Sequence, residues 1–148
     1  MTYELVAVCD RCLGEIPDGE GVLEVNVTSA ARVLERWAAT FQADAASPWP
    51  PTRRGRAAAW RVRHHGCGRD YAAGYRIPVE RIRTWTGVLD WAVHLSGKPW
   101  FLATDWNDLV DRALRPQRAA VSGLLPAVPR DLRGGPVGDR PGDRAHPA

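Results

Sequence analysis

Two periods of hydrophobicity run along this chain, and they divide it into strands and helices. Thr2–Val8 alternates weakly and is rich in β-formers, which predicts a short first strand. Gly14, Pro17-Asp18-Gly19 and Gly21 then supply turn chemistry. Gly21–Thr28 reads as a second strand, with Leu23, Val25 and Val27 on one face and Glu24 and Asn26 on the other. At Ser29, a candidate N-cap, the period changes. Val33, Leu34, Trp37, Ala38 and Phe41 form one stripe of a helix ending near Phe41. Ser47-Pro48-Trp49-Pro50-Pro51-Thr52 can continue neither a helix nor a central strand and predicts a loop, extended by Arg53-Arg54-Gly55-Arg56.

Period two returns at Ala58–His65. Trp60, Val62 and His64 share the expected buried face; Arg61, Arg63 and His65 share the expected solvated one. Pro78–Ile82 leads to Thr84, a helix N-cap. The helix that follows carries Trp85, Val88, Leu89, Ala92 and Leu95 on one broad face and stops at Gly97, with Pro99 beyond. Thr104 or Asp105 caps a last helix whose apolar side is Trp106, Leu109, Val110, Ala113 and Leu114. Asp105 and Asp108 in its first turn and Arg112 and Arg115 in its last suit the helix dipole. The pattern therefore predicts an α+β domain over residues 1–115, with a small antiparallel sheet, an inserted helix and two C-terminal helices packed through tryptophans. Residues 116–148 are rich in Pro, Gly, Arg and Asp and read as a largely disordered tail with one apolar island, Val121–Val128.

Composition narrows the class. A chain of 148 residues, 45% apolar, is long enough for one domain with a core of its own. No apolar run approaches the length of a membrane span, and the first residues lack a secretory pattern. The expectation is a cytoplasmic protein with no membrane association. In a reducing compartment its three cysteines suit metal ligation better than disulfides.

Those cysteines carry the strongest chemical signal. Cys9 and Cys12 form a Cys-x-x-Cys pair, and His64 and Cys67 form a His-x-x-Cys pair some fifty residues later. Two close pairs of this kind are the ligand set of a tetrahedral Cys3His zinc site, since a two-residue gap lets both side chains of a tight turn face one ion. Gly14, Gly66 and Gly68 suit tight turns beside a metal. His65 competes with His64 for the fourth position. Strand alternation favours His64, which shares a face with Trp60 and Val62 and has the regular spacing to Cys67. Four protein ligands leave no open position, so the zinc is expected to be structural and to join two distant loops. A redox role fits less well, because Leu13-Gly14-Glu15-Ile16-Pro17 opens no helix after the Cys-x-x-Cys pair.

Cys9-x-x-Cys12-x-x-x-Ile16-x-x-Gly19-Glu20-x-Val22-Leu23, with Trp60 and His64-x-x-Cys67 later, resembles the first zinc-binding half of a LIM-type or treble-clef-like zinc ribbon. The ligand pairs lie further apart than in LIM modules, and no second zinc half follows Cys67. The resemblance is thus to single-zinc LIM-like, treble-clef-type ribbons of small bacterial proteins. It implies one structural Zn2+ and a non-enzymatic module that contacts protein or nucleic acid.

Charge adds a candidate surface. Residues 53–83 hold nine arginines against Asp70 and Glu80, interleaved with Trp60, Tyr71 and Tyr75, a composition found on nucleic-acid surfaces. The competing reading is charge pairing with the acidic N-terminal strands, Glu24 for instance. His64-His65 after a strand also suggests an alternative, a metal-dependent nuclease or hydrolase of HNH-like type. The asparagine and final histidine of that motif are missing, and the next helix offers only His94. Asp105, Asp108 and Asp111 read as a solvated, dipole-matched helix face rather than a metal site. Trp49 and Trp100, in proline-flanked loops, are the expected exposed tryptophans.

Overall fold

The computed structural model describes residues 4–43, 56–115 and 121–127. Five strands and three helices follow in the order β1 (Leu5–Val8), β2 (Gly21–Asn26), α1 (Val27–Ala43), β3 (Arg61–His64), β4 (Gly74–Pro78), α2 (Trp85–Ser96), α3 (Trp106–Leu114) and β5 (Gly123–Pro126). Short 3-10 turns at Val79–Arg81 and Phe101–Ala103 lead into α2 and α3. The fold is α+β, with small antiparallel sheets, as the periodicity implies. One sheet has the order β3-β2-β4 and the other pairs β1 with β5.

Central placement of β2 explains its burial. Leu23 pairs with Val62 on one side and Ile77 on the other, and all three are buried. Glu24, on the opposite face, is buried as well. The face expected to be solvated is instead closed by ion pairs. Glu24 Oε2 accepts from Arg61 Nη2 (2.6 Å) and Arg63 Nε (3.0 Å), and Oε1 accepts from Arg76 Nε (3.0 Å). Arg63, expected in solvent, is 2% exposed and also pairs with Asp70. Charge pairing with Glu24 thus accounts for the arginine face of β3. A buried charge needs partners on every side, and here the sheet supplies them from both neighbouring strands.

Several element boundaries differ from the sequence pattern. α1 begins at Val27, two residues before Ser29, because Asn26 Oδ1 accepts from the Ser29 amide (2.9 Å) and acts as the cap. Strand β4 had no sequence assignment; Tyr75, Arg76 and Ile77 form it by pairing with Val25, Glu24 and Leu23. Thr84 does cap α2, its Oγ1 accepting from the Gly87 amide (3.1 Å). Leu89 and Leu114 are not core residues: they are 64% and 58% exposed. The apolar island is part of the fold, since β5 lies antiparallel to β1, with Leu124 buried opposite Ala7. The rest of the proposed tail, the proline loop and Trp49 lie outside the described residues.

Around Trp60, Trp100 and Trp106 form one cluster. Its ring meets Trp106 edge-on at 5.4 Å and lies 6.4 Å from Trp100. Trp100 also packs at 5.3 Å from Tyr75, so it belongs to the cluster rather than to an exposed loop. Thr104 and Asp105 do not cap α3 through their side chains. Thr104 Oγ1 accepts from Trp60 Nε1 (3.0 Å), and Asp105 Oδ1 accepts from the Trp60 amide (2.7 Å). These bonds fasten the start of α3 to the residue that leads into β3.

Candidate metal centre

Two backbone turns meet at the end of the β2–β3 ladder. The first is the turn Cys9–Gly14 that follows β1. Its Cys9 amide donates to the Gly14 carbonyl (2.9 Å), and the Leu13 amide donates to the Cys9 carbonyl (3.0 Å). Leu13 takes φ 61°, the left-handed conformation that folds the chain back after Cys12. The second is the turn His64–Cys67 that ends β3, closed by the Cys67 amide on the His64 carbonyl (3.0 Å). Asp10 docks one on the other. Its amide donates to the Val62 carbonyl (2.8 Å), and its Oδ2 accepts from the Val62 amide (2.7 Å). Sequence reasoning had given Asp10 no role. Its one signal was the known tendency of Asp to bond nearby backbone in turns.

Cys9, Cys12, His64 and Cys67 come together as a group that could hold a metal ion, with one donor atom from each and all donors within 4.8 Å of one another. His64 Nδ1 lies 3.4 Å from Cys12 Sγ and 3.8 Å from Cys67 Sγ. A tetrahedral zinc site with bonds of about 2.0–2.3 Å has edges of roughly 3.3–3.8 Å; the two His64–sulfur separations fall in that range, and donors as far apart as 4.8 Å would draw in around an ion. His64 Nε2 is 3.1 Å from the Glu15 carbonyl oxygen. An N–H there donates to the carbonyl, which leaves Nδ1 as the free ligand atom and fixes the ring. His65 is exposed and outside the group; its amide continues the ladder to the Glu20 carbonyl (3.0 Å). His94 is also elsewhere, with Nε2 3.0 Å from the Tyr75 hydroxyl.

Two of the thiols are shifted in opposite directions. Burial pushes the Cys9 thiol up, but hydrogen bonds from the Cys12, His64 and Arg11 backbone outweigh it and bring Cys9 down to about 6. Partial burial, together with the neighbouring Cys12 and Cys9 sulfurs, pushes Cys67 up to about 11. Sulfurs this close do not all ionise unaided, whereas a divalent ion among them stabilises every thiolate.

Crowding fixes the approach of the two turns. Gly21 pairs with His64 in the β2–β3 register, and a Cβ there would overlap the Arg63 carbonyl oxygen and Ile16 Cγ2. Only glycine lets β2 lie that close beneath the ligand-bearing end of β3. Compared with protein families, curated proteins and solved structures, the chain matches none. Among the described residues, no helix is long and apolar enough to cross a membrane.

Proposed function

We propose that this chain is a non-enzymatic interaction module, of single-zinc LIM-like or treble-clef type, stapled by one structural Zn2+ and contacting protein or nucleic acid. The observation that carries the reading is the convergence of three thiols and one imidazole Nδ1 within 4.8 Å. Three sulfurs and one nitrogen favour zinc over hard, oxygen-seeking cations. Bound there, zinc supplies a fixed charge and a four-way link between the end of β1 and the end of β3. Four protein donors fill a tetrahedron and leave no place for an activated water, which is why a staple is preferred to a hydrolytic centre. Asp10 and the Glu15 carbonyl hold the donors in place, as supporting groups around structural metals do.

Elemental analysis of protein purified under reducing conditions tests this. One zinc per chain is expected, lost in Cys9→Ser and Cys67→Ser and kept in His65→Ala. Metal-free protein that folds equally well under those conditions would overturn the reading.

A further inference from the structure

Beside the metal centre lies an open cleft of about 520 Å³, lined by Arg11, Arg61, Arg63, Arg69 and Tyr71 together with Asp10 and Asp70. Its acidic groups are already engaged. Asp10 holds the Val62 amide, and Asp70 pairs with Arg63 and Arg76. Arg11 and Arg69 are exposed and have no side-chain partner among the described residues. Arg61 spends Nε and Nη2 on Glu24 and on the Arg69 carbonyl, leaving Nη1 free. Gly68, at φ 127°, keeps the floor open: the point where its Cβ would stand is 3.7 Å from Arg11 Nη1 and 4.0 Å from Arg61 Nη1. Two guanidinium groups therefore converge on one spot that no side chain fills. Counting Arg76 behind the four that line the cleft, five guanidiniums stand against three carboxylates, Asp10, Glu24 and Asp70. Positive charge stays in excess even after the single negative charge that three thiolates leave on a divalent ion.

An aromatic plate adjoins the charge. The Arg61 guanidinium stacks 3.8 Å over the Tyr71 ring. Tyr71 is itself anchored, its amide donating to Glu24 Oε1 (3.2 Å) and its carbonyl accepting from Arg76 Nη2 (3.2 Å). Guanidinium forks match phosphate oxygens, and an anchored aromatic offers a face for a base. The cleft is of a size that takes a nucleotide-sized ligand rather than a lone ion. We infer that this cleft binds the phosphodiester backbone of single-stranded nucleic acid, with Arg11 and Arg69 on phosphate and the Arg61–Tyr71 stack against a base. The inference rests on the zinc-module reading, because Arg11 lies between Cys9 and Cys12 and the ligated turn sets where it points.

The test is binding of a short fluorescein-labelled oligothymidylate to the zinc-loaded full chain across a salt titration. Zinc content and thermal midpoint are measured on every sample. Affinity should fall steeply with salt. In Arg11→Ala/Arg69→Ala the slope of log affinity against log salt should become shallower by roughly 0.7 per arginine. Tyr71→Ala should weaken binding without altering that slope, and Arg32→Ala on α1 should leave both unchanged. Should Arg11→Ala lose zinc, Arg69→Ala alone reads the same shift. Inorganic phosphate should compete only at far higher concentration than unlabelled oligonucleotide; equal potency would overturn the nucleic-acid source. Absent binding, or binding unaffected by the cleft variants or lost in Arg32→Ala, would overturn the cleft. Stoichiometric zinc in those same samples leaves the module reading standing, whereas absent zinc removes that reading first.

Discussion

At the scale of single residues, Glu24 is the charge on which the sheet depends. It is fully buried and shared by Arg61, Arg63 and Arg76. Removing one partner of a buried ion pair strands the others, at a typical cost of about 3–5 kcal/mol. Glu24→Ala is therefore expected to destabilise the protein by about 3 kcal/mol or more in urea unfolding; a loss under about 1 kcal/mol would mean that water replaces the carboxylate. The same residue sets a pH dependence. Burial pushes its carboxyl up, but the Arg63 and Arg61 guanidiniums, the Tyr71 amide and Arg76 overcome this and hold it near 2, below the ordinary 4.5. A depressed carboxyl contributes stability that is complete above its unfolded value and lost as pH falls through the folded one. The stability gap between the native chain and Glu24→Gln should thus narrow from pH 4.5 to about 2. Using the gap cancels the acid loss of metal common to both proteins. Gly21 is the steric counterpart. Gly21→Ala must displace β3 from beneath, so a loss of about 1–3 kcal/mol is expected together with weaker zinc retention against a chelator. Unchanged retention would show that β3 shifts without its His64 end.

At the scale of elements, β5 adds residues beyond α3 to the packed structure. Leu124 is buried between β1 and α3, and Gly123, at φ 97°, lies with its Cβ position 3.8 Å from Leu109 Cδ1. A chain cut after Arg115 exposes Leu109 and one edge of β1. Leu124→Ala alone should cost about 2–5 kcal/mol, and the truncation at least as much, by thermal or urea unfolding. Full stability after truncation would make β5 an accessory strand. Sequence alone located α2 and α3 well, because most of their stripe positions, the Thr84 cap and the Gly97–Pro99 stop agree with one another. It brought out the four residues that could hold a metal for a similar reason: cysteine is scarce here, and its spacing is stereochemically specific. β4 and β5 escaped because four or five residues carry too little periodicity, and only pairing with β2 and β1 selects them. The burial of Arg63 escaped because alternation separates two faces without saying what covers the second. Asn26 displaced Ser29 as the cap because β2 runs straight into α1, leaving no turn in which Ser29 could act.

For the whole molecule, the question is how much of the fold a metal bound at the Cys3His group would hold. The two turns sit at one end and reach the core through Cys9, which belongs to it, and Cys67, which packs against it, while the core itself runs from Leu5 and Leu23 through Trp60, Ile77 and Leu95 to Trp106 and Leu124. Apart from Cys9, the core side chains are not candidate ligands, and the β2–β4 ladder, the Trp60 cluster and the Glu24 network involve none of the other three. A domain of this length buries enough apolar surface to fold on its own, unlike a small zinc finger. Chelation should therefore loosen one end rather than unfold the chain. Hydrogen exchange on chelated protein should show lost protection at the Cys9, Asp10, Leu13 and Cys67 amides, whose bonds close and join the two turns. Leu23 and Ile77, in the β2–β4 ladder, should keep theirs. The midpoint of thermal unfolding should fall while the transition stays cooperative. Loss of protection throughout β2–β4 would instead make the ion a folding partner for the entire domain. Protection unchanged at Cys9 and Cys67 would show that Asp10 and the β1–β5 pair hold the end closed without it. Between those limits, a local response is what the layout supports: a metal held there would join the ends of β1 and β3, which the β-ladders and the core already bring near.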